Sequence, residues 1–400
     1  MTWIFLILFW IALAGLFHTY LLYPWLLKEW SRGKAENQQL FAEADEWPQL
    51  SIISSLYNEE SVIAQKLETL RAAEYPGNKL AAYIGSDCSS DRTNAIVREK
   101  ASGWDWLHFF PFEERRGKPP VINQLVRQAI TEHGEGPHHI LLITDANVML
   151  TKNTLVNLVR HFKNPDLAIV DAHMRHTGMR KEGISRAENE YISREVWLKH
   201  REGLLWQRMI GPFGGCYAIR SDYFTPVPPN YLVDDFYIAM SAFERGGGAI
   251  NDLQATVYEA VSHDLPEEYR RKRRISAGNF QNMHTFRKLW WPPTSRVGFA
   301  FFSHKILRWL GPFFLLSLIL CPLVLALSGN HIFSWVLGCM MAGLFGLPLL
   351  DVGLRRIGRN SLPLRGVRYF LLMNVALLEG FINYTKGITT NVWQPPKRNH

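Results

Sequence analysis

At residues 141–150 the chain reads LLITDANVML. Leu141, Leu142 and Ile143 make an apolar run of the kind shown by a strand buried on both faces. The run breaks at Thr144, Asp145, Ala146 and Asn147, then turns apolar again. A carboxylate and an amide, one residue apart, therefore stand at the tip of a strand-like segment. The same rhythm repeats upstream. QLSIISSLYNEE ends a short apolar run in Tyr57, Asn58 and Glu59, LAAYIGSD ends in Ser86 and Asp87, and WLHFFPF makes a further strand. Helical patterns lie between them. SVIAQKLETLRAAEY puts Val62, Ile63, Leu67 and Leu70 on one face, with Ser61 placed to cap its start. Thr93 to Lys100 is a second helix, and KPPVINQLVRQAITEH a third, with prolines near its first turn, where they are tolerated. Strands alternating with helices predict an α/β domain, a mostly parallel sheet with helices on both faces. In such sheets ligands bind outside the carboxyl ends of the strands, and every polar tip quoted above falls at that edge.

The flanks differ from this middle region. Hydrophobic residues make up 47% of the 400, yet mean hydropathy is −0.09, which allows for apolar residues concentrated in segments. Trp3 to Leu27 is almost wholly apolar and about long enough to span a bilayer. It lacks the basic start, short core and small-residue cleavage site of a signal peptide, and an uncleaved anchor is expected. Three further apolar segments cover 309–328, 332–350 and 367–384. The last carries Asn374, Glu379 and Asn383 and reads as a polar-faced span, or else as an interfacial helix. The predicted organisation is an anchor at 1–30, a connector at 31–47, the α/β domain at 48–285, an interfacial amphipathic segment at 286–308, transmembrane segments within 309–390 and a tail at 391–400. Trp290, Trp291, Lys305 and Trp309 suit a bilayer interface.

Basic residues set the orientation. Lys28, Arg32 and Lys34 follow the first span; Arg355, Arg356, Arg359, Arg365 and Arg368 follow the third; the link Gly329–His331 has none. The middle region is thus expected in the cytoplasm, in a multi-pass protein of the inner (plasma) membrane. If the last segment spans, Lys386, Lys397 and Arg398 fall outside, against that trend. The net charge of +8 suits anionic lipid and phosphorylated substrates, and with spans present nucleic acid is not an expected partner. Cys88, Cys216, Cys321 and Cys339 contain no CxxC pair, so neither a disulfide framework nor a zinc site is indicated.

In this order the motifs resemble those of membrane-bound family 2 glycosyltransferases, inverting enzymes with a GT-A catalytic domain. Among these the chain looks most similar to bacterial exopolysaccharide transferases related to cellulose and hyaluronan synthases. The likeness runs from about Leu50 to Gln281. It implies that Tyr57, Asn58 and Glu59 border the nucleotide base. Asp87 falls on the nucleotide-contacting carboxylate, Asp91 on an aspartate that braces the loop, and Cys88 stands where glycine is usual. Lys118, in RRGKPPVINQ, matches a lysine near the diphosphate. TDAN occupies the place of the DxD motif, which implies that Asp145 and Asn147 hold Mg²⁺ or Mn²⁺ on the donor diphosphate. Such cations prefer oxygen ligands, and the amide of Asn147 is a weaker one than a carboxylate. GPFGGCYAIR matches a small-residue strand and arginine, Arg220, beside the sugar and acceptor, with Gly214 and Gly215 allowing close approach.

In YLVDDFYIAM the pair Asp234 and Asp235 matches the acidic pair of the family, and Asp235 falls on its catalytic base. An inverting transfer needs one carboxylate to accept the acceptor hydroxyl's proton. EEYRRKRRISAGNFQ aligns with QxxRW: Arg274 falls on the diphosphate-binding arginine, Arg271 replaces the glutamine, and Ile275 replaces the acceptor-site tryptophan. Glu259 and His263 follow a last strand, where a histidine ligates metal in some other GT-A enzymes but is not expected to here. The resemblance implies a transferase that moves a hexose or N-acetylhexosamine from a nucleotide-diphospho-sugar, expected to be a UDP-sugar, to a lipid-linked or polysaccharide acceptor at the membrane. Without the tryptophan, one sugar or a short run is expected. The alternative is an inactive nucleotide-sugar-binding scaffold or glycan-translocation subunit, against which Asp87, Asp145, Asp235 and Arg274 all speak. A nucleotidyl- or phosphotransferase would favour GxxxxGK[ST], which is absent.

Overall fold

The computed structural model describes residues 2–76, 78–177, 184–260, 265–357, 359 and 361–391. His263, Lys397 and Arg398, and the tail beyond Asn391, lie outside the described residues. The chain divides into two compact units: a sheet unit of 31–179, 194–262 and 388–400, and a helical unit of 1–30, 180–193 and 263–387.

The sheet has eight strands: β1 (Gln49–Leu56), β2 (Leu80–Asp87), β3 (Leu107–Phe112), β4 (His139–Thr144), β5 (Val148–Leu150), β6 (Leu167–Thr177), β7 (Cys216–Arg220) and β8 (Gly248–Ala260). Their order is β3-β2-β1-β4-β7-β6-β8-β5. The four strands predicted from sequence are parallel, and β6 pairs parallel with β8. β7 runs antiparallel to both β4 and β6, and β5 antiparallel to β8, so the expected parallel sheet is mixed in its second half. The reversal brings the chain back from the carboxyl edge of β4: Cys216 pairs with Thr144, and Arg220 with Ile140. Leu50, Ile52, Ile53, Ile140, Leu141 and Leu142 are fully buried, as two-sided coverage requires.

The helix Ile63–Ala72 has no side-chain cap, contrary to the role expected of Ser61. The chain enters through a turn instead, in which the amides of Val62 and Ile63 both donate to the Glu59 carbonyl. The helix Lys118–His133 follows Gly117 at φ +85°, a left-handed conformation that glycine adopts without strain, and carries its prolines in the first turn as expected. Asp234–Glu244 is helical from the acidic pair onward.

In the helical unit, Thr2–Trp30 and His331–Leu354 are long and apolar enough to cross a membrane. Arg296–Trp309 and Gly311–Leu327 pass the same test only as a pair, bent by 57°, so the expected interfacial segment ends in a sharp break. Trp309, expected at an interface, is instead buried, edge-on against Phe301. The third C-terminal segment is not among the candidate spans. Its helix, Leu362–Thr385, turns Glu379 toward the strongly basic helix Leu265–Thr285, where Tyr269 donates to it at 2.8 Å and Arg273 lies at 3.4 Å. Gly380 lets the two helices cross closely, since a Cβ there would collide with the Ser276 side chain. The polar residues that suggested a polar-faced span are thus partly taken up by a charged neighbouring helix.

Candidate active site

Three carboxylates and one ammonium gather at the carboxyl edge of the sheet. Asp145 follows the last residue of β4, and Lys118 opens the helix Lys118–His133. The Lys118 ammonium donates to Asp145 Oδ1 at 2.8 Å and lies 3.4 Å from Asp234 Oδ2. Asp234 and Asp235 occupy the first turn of their helix, where the dipole favours acids. Asp234 is buried, and its Oδ2 accepts no hydrogen bond from the described residues. Burial pushes the Asp235 carboxyl up to about 7, and the neighbouring Asp234 reinforces the rise. Burial disfavours the Lys118 charge, but Asp145 and Asp234 outweigh it and hold the ammonium well above the usual lysine range.

Asp87 sets this lysine in place. Its two carboxylate oxygens accept the backbone amides of Arg116 (2.7 Å) and Gly117 (2.9 Å), fixing the turn before Lys118. The first two polar tips are laced together. Asn58, itself at φ +51°, exchanges hydrogen bonds with Ser89 and Ser90; Glu59 N donates to Thr93 Oγ1; Asp91 accepts from Glu60 N and Thr93 N. Asp91 therefore braces the loop as expected, and Asn58 ties one tip to the next. Tyr57 lies under the Arg115 guanidinium, 3.4 Å from its ring centre, a flat cationic–aromatic pair at the same edge.

The two glycines differ in what they approach. A Cβ on Gly214 would stand 2.5 Å from Asp235 Oδ2, whereas one on Gly215 would strike the Phe213 ring and Val148. Gly214 makes room for the carboxylate; Gly215 belongs to the packing beneath it. Asn147 is buried, and its amide nitrogen donates to Glu259 on β8 at 2.7 Å. Its side chain is thus turned toward β8, leaving the amide oxygen as its possible ligand atom. No cluster of three or more His, Cys, Asp or Glu able to hold a metal occurs among the described residues. The fit of Mg²⁺ or Mn²⁺ rests on charge and ligand type. Asp145, Asp234 and Asp235 outnumber the single ammonium between them, and Mg²⁺ commonly takes only one or two carboxylates, with phosphate and water completing its shell. Asp145 meets that demand.

Residues 139–349 match the family model described as glycosyl transferase family group 2, and residues 51–225 match glycosyl transferase family 2. The chain belongs to this glycosyltransferase family. The enzyme is 26% identical over 160 residues to a beta-monoglucosyldiacylglycerol synthase of Trichormus variabilis, covering 40% of this chain and 33% of that protein. It is 25% identical over 169 residues to the probable glycosyltransferase YdaM of Bacillus subtilis, covering 42% and 36%. The matches thus span about a third of the length of these curated relatives. Among solved structures, the mannosyltransferase PcManGT of Pyrobaculum calidifontis, in complex with GDP-Man and Mn²⁺, superposes with a TM-score of 0.68 at 21% identity over 94% of this chain and 99% of that one. That likeness establishes the shared GT-A fold.

Within the glycosyltransferase, the sheet unit brings together Asp87, Lys118, Asp145, Gly214, Asp234 and Asp235. Arg220 does not join them. The antiparallel course of β7 carries it to the opposite edge, where it is buried and donates to the carbonyls of Leu167, Phe162, Asn164 and Pro137. The expected place beside the sugar is therefore wrong for Arg220. Arg271, Arg274 and Ile275 lie on the helix Leu265–Thr285 of the helical unit, and Arg271 pairs with Glu268 at 3.5 Å. Cys88, at the glycine position of the motif, has φ +57°. The residue missed by sequence reasoning is Lys66, on the buried face of the helix Ile63–Ala72. The available signal was a lysine in register with Ile63, Leu67 and Leu70.

Proposed function

We infer that the enzyme transfers a hexose or N-acetylhexosamine, with inversion, from a nucleotide-diphospho-sugar to a lipid acceptor at a membrane. The observation that carries this reading is the Asp235 carboxyl, raised toward neutrality and seated against Gly214 beside the Lys118–Asp145 pair. A base of this kind accepts a hydroxyl proton near neutral pH. Asp235 takes the acceptor hydroxyl's proton as that oxygen attacks the anomeric carbon, and the bond from the anomeric carbon to the diphosphate oxygen breaks. Lys118 stabilises the charge on the departing diphosphate. Asp234 holds Lys118 and keeps the Asp235 proton affinity high. Asp145 would hold Mg²⁺ or Mn²⁺, which supplies further charge neutralisation to the diphosphate.

Two observations favour a lipid acceptor. The relative from Trichormus variabilis is named for a glucosylated diacylglycerol, and this chain carries helices apolar enough to cross a membrane. The motif likeness to exopolysaccharide transferases instead suggests a glycan acceptor. Chain parity favours an even number of crossings after residue 286, and the basic residues beside the spans favour the cytoplasmic side for the sheet unit. Asn230 donates to the Ile388 carbonyl at 3.1 Å and Asn391 bonds the Tyr231 carbonyl, so the chain after the last helix returns to the sheet unit. An even number of crossings between 286 and 388 satisfies this. The bent pair, counted as one span, and His331–Leu354 supply two, with Leu362–Thr385 not counted as a crossing. Lys386 then stays with the other basic loops.

The test is to incubate detergent-solubilised enzyme with labelled UDP- and GDP-sugars, with diacylglycerol and with polyprenyl phosphate, in the presence of Mn²⁺ or EDTA. Sugar transfer to one lipid, lost in EDTA, is expected. Transfer to neither lipid while a soluble oligosaccharide is extended would overturn the lipid reading.

A further inference from the structure

Lysine is almost never fully buried unless it is paired, yet Lys66 is 1% exposed. No carboxylate among the described residues lies within ion-pair distance of it. Its ammonium donates to Thr144 Oγ1 at 2.8 Å and to the Val148 carbonyl at 2.6 Å. These acceptors bracket the turn that carries Asp145. The Thr144 hydroxyl donates to the Gly215 carbonyl at 3.1 Å, and Asp145 N donates to the same carbonyl at 2.9 Å. Lys66 is thus the inner anchor of the 144–148 turn and, through Thr144, of the glycine loop.

Hydrogen bonding alone does not explain a charge here. A neutral side chain could fill the slot at lower desolvation cost. Burial drives the Lys66 ammonium down to about 8, opposed by Cys216 on β7 and Asp145 on the turn. A cation fixed behind the turn attracts an anion in front of it and repels a second cation, and the low-dielectric surroundings strengthen both effects.

We propose that Lys66 is a positioning residue for the donor, tying both ends of the Thr144–Val148 turn and placing a buried positive charge behind it that favours the diphosphate of the nucleotide sugar. This rests on the turn being the diphosphate site.

The test uses full-length enzyme in detergent, as wild type, Lys66→Met, Lys66→Gln and Asp145→Asn. Binding of UDP and of GDP is measured in EDTA, and binding of Mn²⁺ is measured alone. In the Lys66 variants the better-binding nucleotide should weaken about tenfold, while Mn²⁺ binds severalfold more tightly. A purely structural role would weaken both together, and either parallel weakening or no change overturns the proposal. Failure of both Lys66 variants to fold also overturns it, because it makes the lysine a requirement of the core. Asp145→Asn separates the premise from the proposal: unchanged UDP and GDP binding in Mn²⁺ would remove the turn from the donor site, and the proposal with it.

Discussion

The two ends of β7 are four residues apart in sequence and opposite in character. At Arg220 every polar demand is met: one buried guanidinium serves four carbonyls, and Ser221 and Gly136 exchange hydrogen bonds beside it. Just before the other end, which lies roughly 13 Å away at strand rise, Gly214 makes room for a carboxylate and three acids share one largely buried ammonium. Satisfied buried polar groups stabilise a fold, whereas like charges held together raise its energy and tune proton affinity. The first end works for the fold, and the second is where we propose the reaction.

The comparison is broken most severely at Asp235. Asp235→Asn keeps the shape and removes the base, and kcat should fall by roughly two orders of magnitude or more, with UDP and GDP binding largely retained. The same change should stabilise the protein. The folded Asp235 carboxyl titrates near 7, above its ordinary value, so it favours folding when protonated, and that contribution fades as pH rises through about 7. At pH 8 the variant should exceed wild type by on the order of 1–3 kcal/mol in denaturant unfolding, and at pH 4 the two should converge. In the wild type, kcat/KM should fall as pH drops through about 7. Equal stability at pH 8 would mean that the acid is not strained.

Arg220→Met should do the reverse. Three buried carbonyls and the exposed one of Pro137 lose a donor, and stability should drop by on the order of 3–5 kcal/mol, while kcat per folded molecule stays within about twofold because the residue faces the far edge. A large kcat loss at full folding would restore Arg220 to the sugar site.

Gly214→Ala and Gly215→Ala separate the same two roles over one residue. Alanine at 214 must displace the Asp235 side chain, and kcat should fall about 10- to 100-fold with little change in UDP affinity. Alanine at 215 presses on Phe213 and Val148, and should cost about 1–3 kcal/mol of stability. Similar kinetic losses in the two would show that neither glycine has a special relation to the base.

Much of the catalytic edge was legible in the sequence because each strand announces itself as an apolar run and ends in its polar tip. Asp87 and Asp145 fall at such ends or just beyond, whereas Lys118 and Asp235 sit in the first turns of helices and were read from their motifs. The direction of CYAIR was not legible: a five-residue strand reads alike both ways, and the error carried Arg220 to the wrong edge. Lys66 was hidden because lysine is scored as polar whatever face it occupies. The hydrogen bond from Asn147 to Glu259 was not legible because the partner lies 112 residues on. The pairing of Glu379, on the helix Leu362–Thr385, with Tyr269 and Arg273 was not legible because these partners lie 110 and 106 residues away in sequence.

The smallest effect sharpens the contrast at the nucleotide loop. Cys88 lies directly after Asp87 with φ +57°, in the left-handed region where a Cβ is crowded by the following carbonyl. Glycine occupies that region freely, but it also gives the unfolded chain more conformations to lose. The first effect favours Cys88→Gly by about 1–2 kcal/mol and the second opposes it by about 0.5–1 kcal/mol. The Cys88 thiol also donates weakly to the Glu113 carbonyl at 3.2 Å, a bond that glycine would forgo. The expected net is a stabilisation of about 0.5 kcal/mol, read as a small rise in the denaturant midpoint with an unchanged slope. Because Asp87 holds the amides of Arg116 and Gly117 independently of residue 88, donor KM should not change. If Cys88→Gly instead raises donor KM, the strained cysteine shapes the nucleotide loop, and the strain belongs to the reactive edge rather than to the fold.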